Sequence, residues 1–156
     1  MKDNMKLAEA LSLRADLQKR IAQLESRLSR NATVQEGESP AEDPKELLIE
    51  LDTMICQLED LICRINITNC NTVKDKMSIT RMIAKRDALT IKVDCLRGFL
   101  LDASNIANRA MLTEIKVQPT VNVGELQKRV DGISKEIRET DIKIQELNWT
   151  TELVEI

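Results

Sequence analysis

LDTMICQLEDLICRI, residues 51–65, decides how this chain folds. Leu51, Ile55, Leu58, Ile62 and Ile65 recur at alternating steps of four and three, which makes a heptad seam on an α-helix. Met54 and Leu61 widen one side of the seam, Cys56, Cys63 and Cys70 line the other, and Asn69 takes the next seam position. Just upstream, Asp43-Pro44-Lys45-Glu46 supplies a helix N-cap at Asp43, proline at the first helical position and glutamate at the third. The helix therefore starts at Pro44 and fades near Thr72.

Working outward, the segment 34–44 (VQEGESPAEDP) carries Gly37, Pro40 and Pro44 among acids and reads as part of a loop over 32–43. Before it, Leu7, Leu11, Leu17, Ile21, Leu24 and Leu28 repeat at helical spacing, predicting a first helix over about 5–31. Arg14 falls on that stripe, where a long stem reaches water from the stripe edge. Met5 is itself a candidate start, which makes residues 1–4 an optional extension.

On the other side, VKDKM is a short connection and Ser78 a fitting N-cap. From there Ile79, Ile83, Leu89, Val93, Leu96, Leu100, Ala103, Ala107 and Ala110 make one stripe, a third helix of about 30 residues. Gly98 sits inside it and Arg86 lies on the stripe itself. The period then changes: Ile115, Val117, Val121 and Val123 alternate, so an extended segment spans about 113–123, interrupted by Pro119. It can lie along the helices, pair within the chain, or pair with a second subunit through Ile115, Val117 and Val121. Asn122 and Glu125 then fit a capping box, and Leu126, Val130, Ile133, Ile137, Ile144 and Leu147 form the seam of a last helix. Thr140 and Asp141 break that stripe midway. The expected fold is mainly α: one domain over 1–156, an antiparallel four-helix bundle of long amphipathic helices with a short extended segment before the last.

Composition narrows the chemistry. Aromatics are 1% of the chain, so the core must be aliphatic. A net charge of −3, no basic block and almost no rings to stack on bases disfavour nucleic acid. No apolar run approaches the ~18 residues of a membrane helix, and the N-terminus, interrupted by Glu9, Arg14 and Asp16, lacks the pattern of a secretory signal. The expected location is the cytoplasm. With no histidine, Ser-His and Cys-His pairs and Glu-x-x-His metal sites are unavailable, and the scattered glycines build no phosphate loop. No catalytic, cofactor-binding or metal-ligating residue is therefore expected, nor a small-molecule ligand that can be named.

Cys56, Cys63 and Cys70 are spaced by seven, about 10 Å apart along a helix, too far to share one zinc or to pair as disulfides. They read as small packed hydrophobes. The Asn-x-Thr sequons at Asn31, Asn66 and Asn148 fall in or at the ends of helical patterns and read as chance. Asn69 and Arg86 are about equally far from the turn near Met77, and both face inward. With Asp141 on the inward face of the last helix they form a candidate buried polar cluster. Asp87 is the local alternative partner, and Arg86 reaching solvent at a bundle end is the other reading. At the end of the chain, Asn148 and Trp149 are a candidate packing anchor, within or between subunits, or an exposed recognition site.

MKLAEAL, LRADLQKRIAQLESRL, NATVQEGE, PAEDP, RINITNCNT, AKRD, EIK and IQELNWTTEL together resemble the septicolysin-like family of small bacterial proteins. The similarity runs from Met5 to Leu153, and the terminal QELNWTTEL is its most specific piece. It implies a helical fold and a homo-oligomer, and the family name implies a pore-forming cytolysin, the one reading that would bring the chain to a membrane. The residues alone point to a self-associating structural or interaction module, with a small-ligand binder built on the polar cluster as a further alternative.

Overall fold

A computed structural model describes residues 4–105 and 116–156. Among these residues the chain is mainly helical. α1 is Leu7–Arg30, α2 is Pro44–Asn71, α3 is Ile79–Ser104 and α4 is Val123–Thr150. Two short strands, β1 (Val73–Lys74) and β2 (Met77–Ser78), pair as a hairpin between α2 and α3. The described residues gather into two compact units. One holds Met1–Lys74 with Leu147–Ile156, the other Asp75–Glu146.

In the first unit α1 and α2 form an antiparallel pair. Leu24 near the end of α1 packs on Leu47 and Met54 in the first half of α2, with Ile21, Leu28 and Leu51 around them. The helix starts follow local chemistry. Asp43 accepts a hydrogen bond from the Lys45 amide at 2.9 Å, with Pro44 at the first position. Glu9 accepts from the Lys6 amide at 2.7 Å. At the other end of α1, the Asn31 side chain donates to the Arg27 carbonyl at 2.9 Å and accepts from the Glu42 amide at 3.0 Å. The loop is thus tied down at both of its ends. Arg27 adds ion pairs to Glu42 (2.6 Å) and Glu50 (3.3 Å).

The α2 seam is rotated from the expected one. Leu47, Met54, Leu61, Ile65 and Thr68 are buried, whereas Ile55 and Ile62 are exposed. With half-buried Leu51 and Leu58, the core line 47-51-54-58-61-65-68 also alternates four and three. Both lines satisfy the heptad rule, and contact with α1 selects between them. The cysteines change places for the same reason. Cys56, Cys63 and Cys70 are exposed and form no disulfide, so they are not the packed hydrophobes that their spacing suggests.

In the second unit α3 and α4 run antiparallel. Val93 packs on Val130 and Ile133, with Leu89, Leu96, Leu100 and Ile137 closing the cluster. Ser78 caps α3 by accepting from the Arg81 amide at 3.2 Å, and Asn122 caps α4 by accepting from the Glu125 amide at 3.1 Å. Thr140, the residue that breaks the α4 stripe, is buried at the seam position between Ile137 and Ile144. The hairpin turn at Asp75-Lys76 has both residues at positive φ, 53° and 64°, the pattern of a type I′ turn. A non-helical stretch leads into α4. Residues 116–122 run into that helix with neither helical nor strand pairing, and Ile115, Ala107 and Ala110 lie outside the described residues.

Candidate functional site

Arg86 stands on the inner side of α3, on the line that also carries Met82, Leu89 and Val93. Its Nη1 donates to Asp141 Oδ1 of α4 at 3.0 Å. Its Nε and Nη2 both donate to Asp87 Oδ1 at 3.0 Å. The side chain is 29% exposed. Hydrogen bonding to Asp141, then to Asp87, raises the Arg86 pKa further above its ordinary value. Arg86 and Asp141 are therefore brought together, with the local alternative Asp87 on the same guanidinium. Asn69, the third member expected, is a half-buried residue of α2 in the first unit.

The surroundings of this pair are charged and already matched. Lys85 meets Glu136 at 2.6 Å, and Lys143 meets Asp75 at 3.0 Å. Lys85, Glu136, Glu139, Thr140, Ile142 and Lys143 line a shallow cavity of about 440 Å³. Arg86–Asp141 and Lys85–Glu136 join α3 to α4, and Lys143–Asp75 joins α4 to the hairpin turn. Among the described residues no group of His, Cys, Asp and Glu is placed to hold a metal ion.

The end of the chain forms a second constellation, in the first unit. Leu7 donates its amide to the Thr151 carbonyl at 2.9 Å, and Leu153 donates to the Met5 carbonyl at 2.8 Å. Lys6 and Glu152 are thereby joined in an antiparallel bridge, with a 3.3 Å ion pair between their side chains. Hydrogen bonds from Asn4 and then Lys6 hold the Glu152 carboxyl below its ordinary pKa. On the other side, Val154 donates to Thr68 Oγ1 at 3.0 Å and accepts from Arg64 Nε at 2.9 Å. Leu153 is buried between these contacts. Arg64, Thr68 and Val154 were not singled out from the sequence. Half of the clasp is backbone, and Thr68 falls on a core line that the wider apolar stripe of α2 conceals.

Asn148 is buried, but Trp149 beside it is 67% exposed. The indole therefore does not anchor the core of its own chain. Val117 and Val121 of the extended stretch are half-buried, and Ile115 lies outside the described residues. Among the described residues no helix is long and apolar enough to cross a membrane.

The profile of the Family of unknown function (DUF6847) matches residues 14–153, most of the chain. The chain belongs to this family. Membership of DUF6847 overturns the septicolysin-like resemblance, since nothing in the comparisons points to a septicolysin-like protein. The stretches that suggested it, apart from the terminal motif, are largely amphipathic helix and cap sequence, whose form packing dictates whatever the family. The pore-forming reading falls with it. No curated protein matches this DUF6847 member. A solved structure does: the crystal structure of a functionally unknown conserved protein from Corynebacterium diphtheriae. It is 38% identical, over 97% of this chain and 100% of that one, with a TM-score of 0.85.

Proposed function

We propose that this protein is a structural or interaction module of the cytoplasm that associates with copies of itself. One observation carries the reading: its helices are apolar on faces turned away from their partners. Leu48, Ile55 and Ile62 repeat every seven residues on α2 and stay exposed, and Ile91 and Phe99 on α3 are exposed as well. Apolar patches of this kind mark protein contacts more often than idle surface. The exposed Trp149 adds a residue type enriched at interfaces. Four exposed cysteines, none of them in a disulfide, fit a reducing compartment. The Arg86 cluster favours a register-fixing role over a ligand site, because its guanidinium is already shared between two carboxylates. The test is mass in solution by size exclusion with light scattering at micromolar concentration, on wild type and on Trp149→Ala. A multiple of 17.7 kDa is expected for the wild type, and a strict monomer overturns the reading.

A further inference from the structure

α3 carries two seams. The inner one packs on α4 through Leu89, Val93, Leu96 and Leu100. On the opposite side Ala84, Ala88, Ile91, Cys95 and Gly98 follow one another at steps of four, three, four and three. All five are exposed, Ile91 by 73%, and Phe99 adjoins them. A Cβ built on Gly98 meets nothing within 4 Å, so the seam is open there. This outer face holds no charge between Ala84 and Phe99. An apolar seam with small side chains at heptad spacing is what a second helix packs against.

The edges of the seam identify the partner. Asp87 and Asp94 run along one edge, Lys85 and Lys92 along the other, and Asp87, Asp94 and Lys85 also meet Arg86, Arg97 and Glu136 of their own chain. When two copies of such a helix lie parallel about a two-fold axis, each acidic edge faces the basic edge of its partner. Asp87 then stands across from Lys92, five residues further on, the spacing at which edge charges of parallel coiled coils meet. Antiparallel copies would set acid on acid and base on base. The outer face of α2 lacks this property, because Asp52 and Glu59 lie inside its apolar stripe and no basic edge answers them.

We infer that the outer face of α3 is a homotypic interface, on which a second copy of this chain docks with its α3 parallel. The inference rests on the self-association proposed above and names its surface. In this arrangement Cys95 takes a seam position and meets the Cys95 of its copy. Equivalent seam positions of a parallel pair lie within the roughly 4.4–6.8 Å Cα separation that a disulfide spans.

The experiment uses the full chain with Cys56→Ser, Cys63→Ser and Cys70→Ser, leaving Cys95 as the only thiol. Light scattering gives the mass under reducing conditions. Brief treatment with diamide followed by a non-reducing gel then reads cross-linking. The expected result is an oligomer that converts to a dithiothreitol-sensitive covalent dimer. Lys92→Glu, which puts acid against Asp87, should weaken association roughly tenfold and slow cross-linking, while circular dichroism shows it folded. Adding Asp87→Lys to Lys92→Glu reverses the charges of that one pair and should restore both readouts. An oligomer that does not cross-link through Cys95, or that ignores both charge variants, overturns the α3 interface and leaves self-association standing. A monomer at all concentrations overturns both.

Discussion

Arg64 of α2 and Val154 near the end of the chain are joined by a 2.9 Å hydrogen bond from guanidinium to carbonyl, across 90 residues of sequence. Thr68, one turn further along α2, accepts from the amide of the same valine and donates its own hydroxyl to the Arg64 carbonyl at 2.8 Å. The tail is therefore fixed by both polar groups of one peptide residue.

Thr68→Val keeps the volume and removes the acceptor for the Val154 amide. Thr68 is buried, so the amide loses a partner that water cannot readily replace. A stability loss of about 1–2 kcal/mol is expected by urea unfolding. Carboxypeptidase should also release residues 151–156 faster. Unchanged digestion would show that the Arg64–Val154 bond and the backbone bridge to Met5 and Leu7 hold the tail without Thr68.

The Arg86–Asp141 pair is open to a double-mutant cycle. Both side chains are partly exposed, at 29% and 45%, which moderates the interaction. Arg86→Met and Asp141→Asn should each lower stability by up to about 1 kcal/mol, with a coupling energy near 0.5–1 kcal/mol between them. A coupling of zero would mean that Arg86 is satisfied by Asp87 alone.

Lys76 holds a φ of 64° in the turn between the two strands. A side chain with a Cβ is strained there, whereas glycine is not. Lys76→Gly is expected to raise stability by about 0.5–1 kcal/mol in thermal melts. Asp75 stays in place, because it accepts from Lys143. A decrease on substitution would show that the turn geometry differs from type I′.

Two carboxyls report on acid. The Arg27 hydrogen bond lowers the Glu42 pKa below its ordinary 4.5, and Asn4 followed by Lys6 does the same for Glu152. Groups depressed in the folded state stabilise it above their unfolded pKa and lose that effect as pH falls through the folded value. The melting temperature should therefore decline below about pH 4.5, and Glu42→Gln should flatten part of that decline. An identical acid slope in Glu42→Gln would show that this carboxylate is not linked to folding.

Much of the fold is legible in the sequence because its signals are local. Asp43, Ser78 and Asn122 cap the helices that their sequences announce, and the α4 seam and the Arg86–Asp141 pairing can be read from spacing. The misassigned face of α2 has a physical reason. Leu48, Ile49, Ile55 and Ile62 are as apolar as the side chains that face α1, so periodicity fits two seams and the partner helix chooses. The strand pair at 73–78 lacks the Asn-Gly or Asp-Gly signature that would mark its turn. The tail clasp leaves little trace, because Leu7, Met5 and Thr151 contribute only backbone groups to it.

The tail also sets an order of events during synthesis. The first unit takes its last strands of contact from residues 147–156, yet those residues are made after the whole of the second unit. On the ribosome, α1 and α2 emerge early but wait for the clasp that finishes their end of the molecule. The second unit, contiguous in sequence from Asp75 to Glu146, has no such wait. The part translated first is thus the part completed last, and a nascent chain halted anywhere before Leu153 would present an unfinished N-terminal unit to chaperones and proteases.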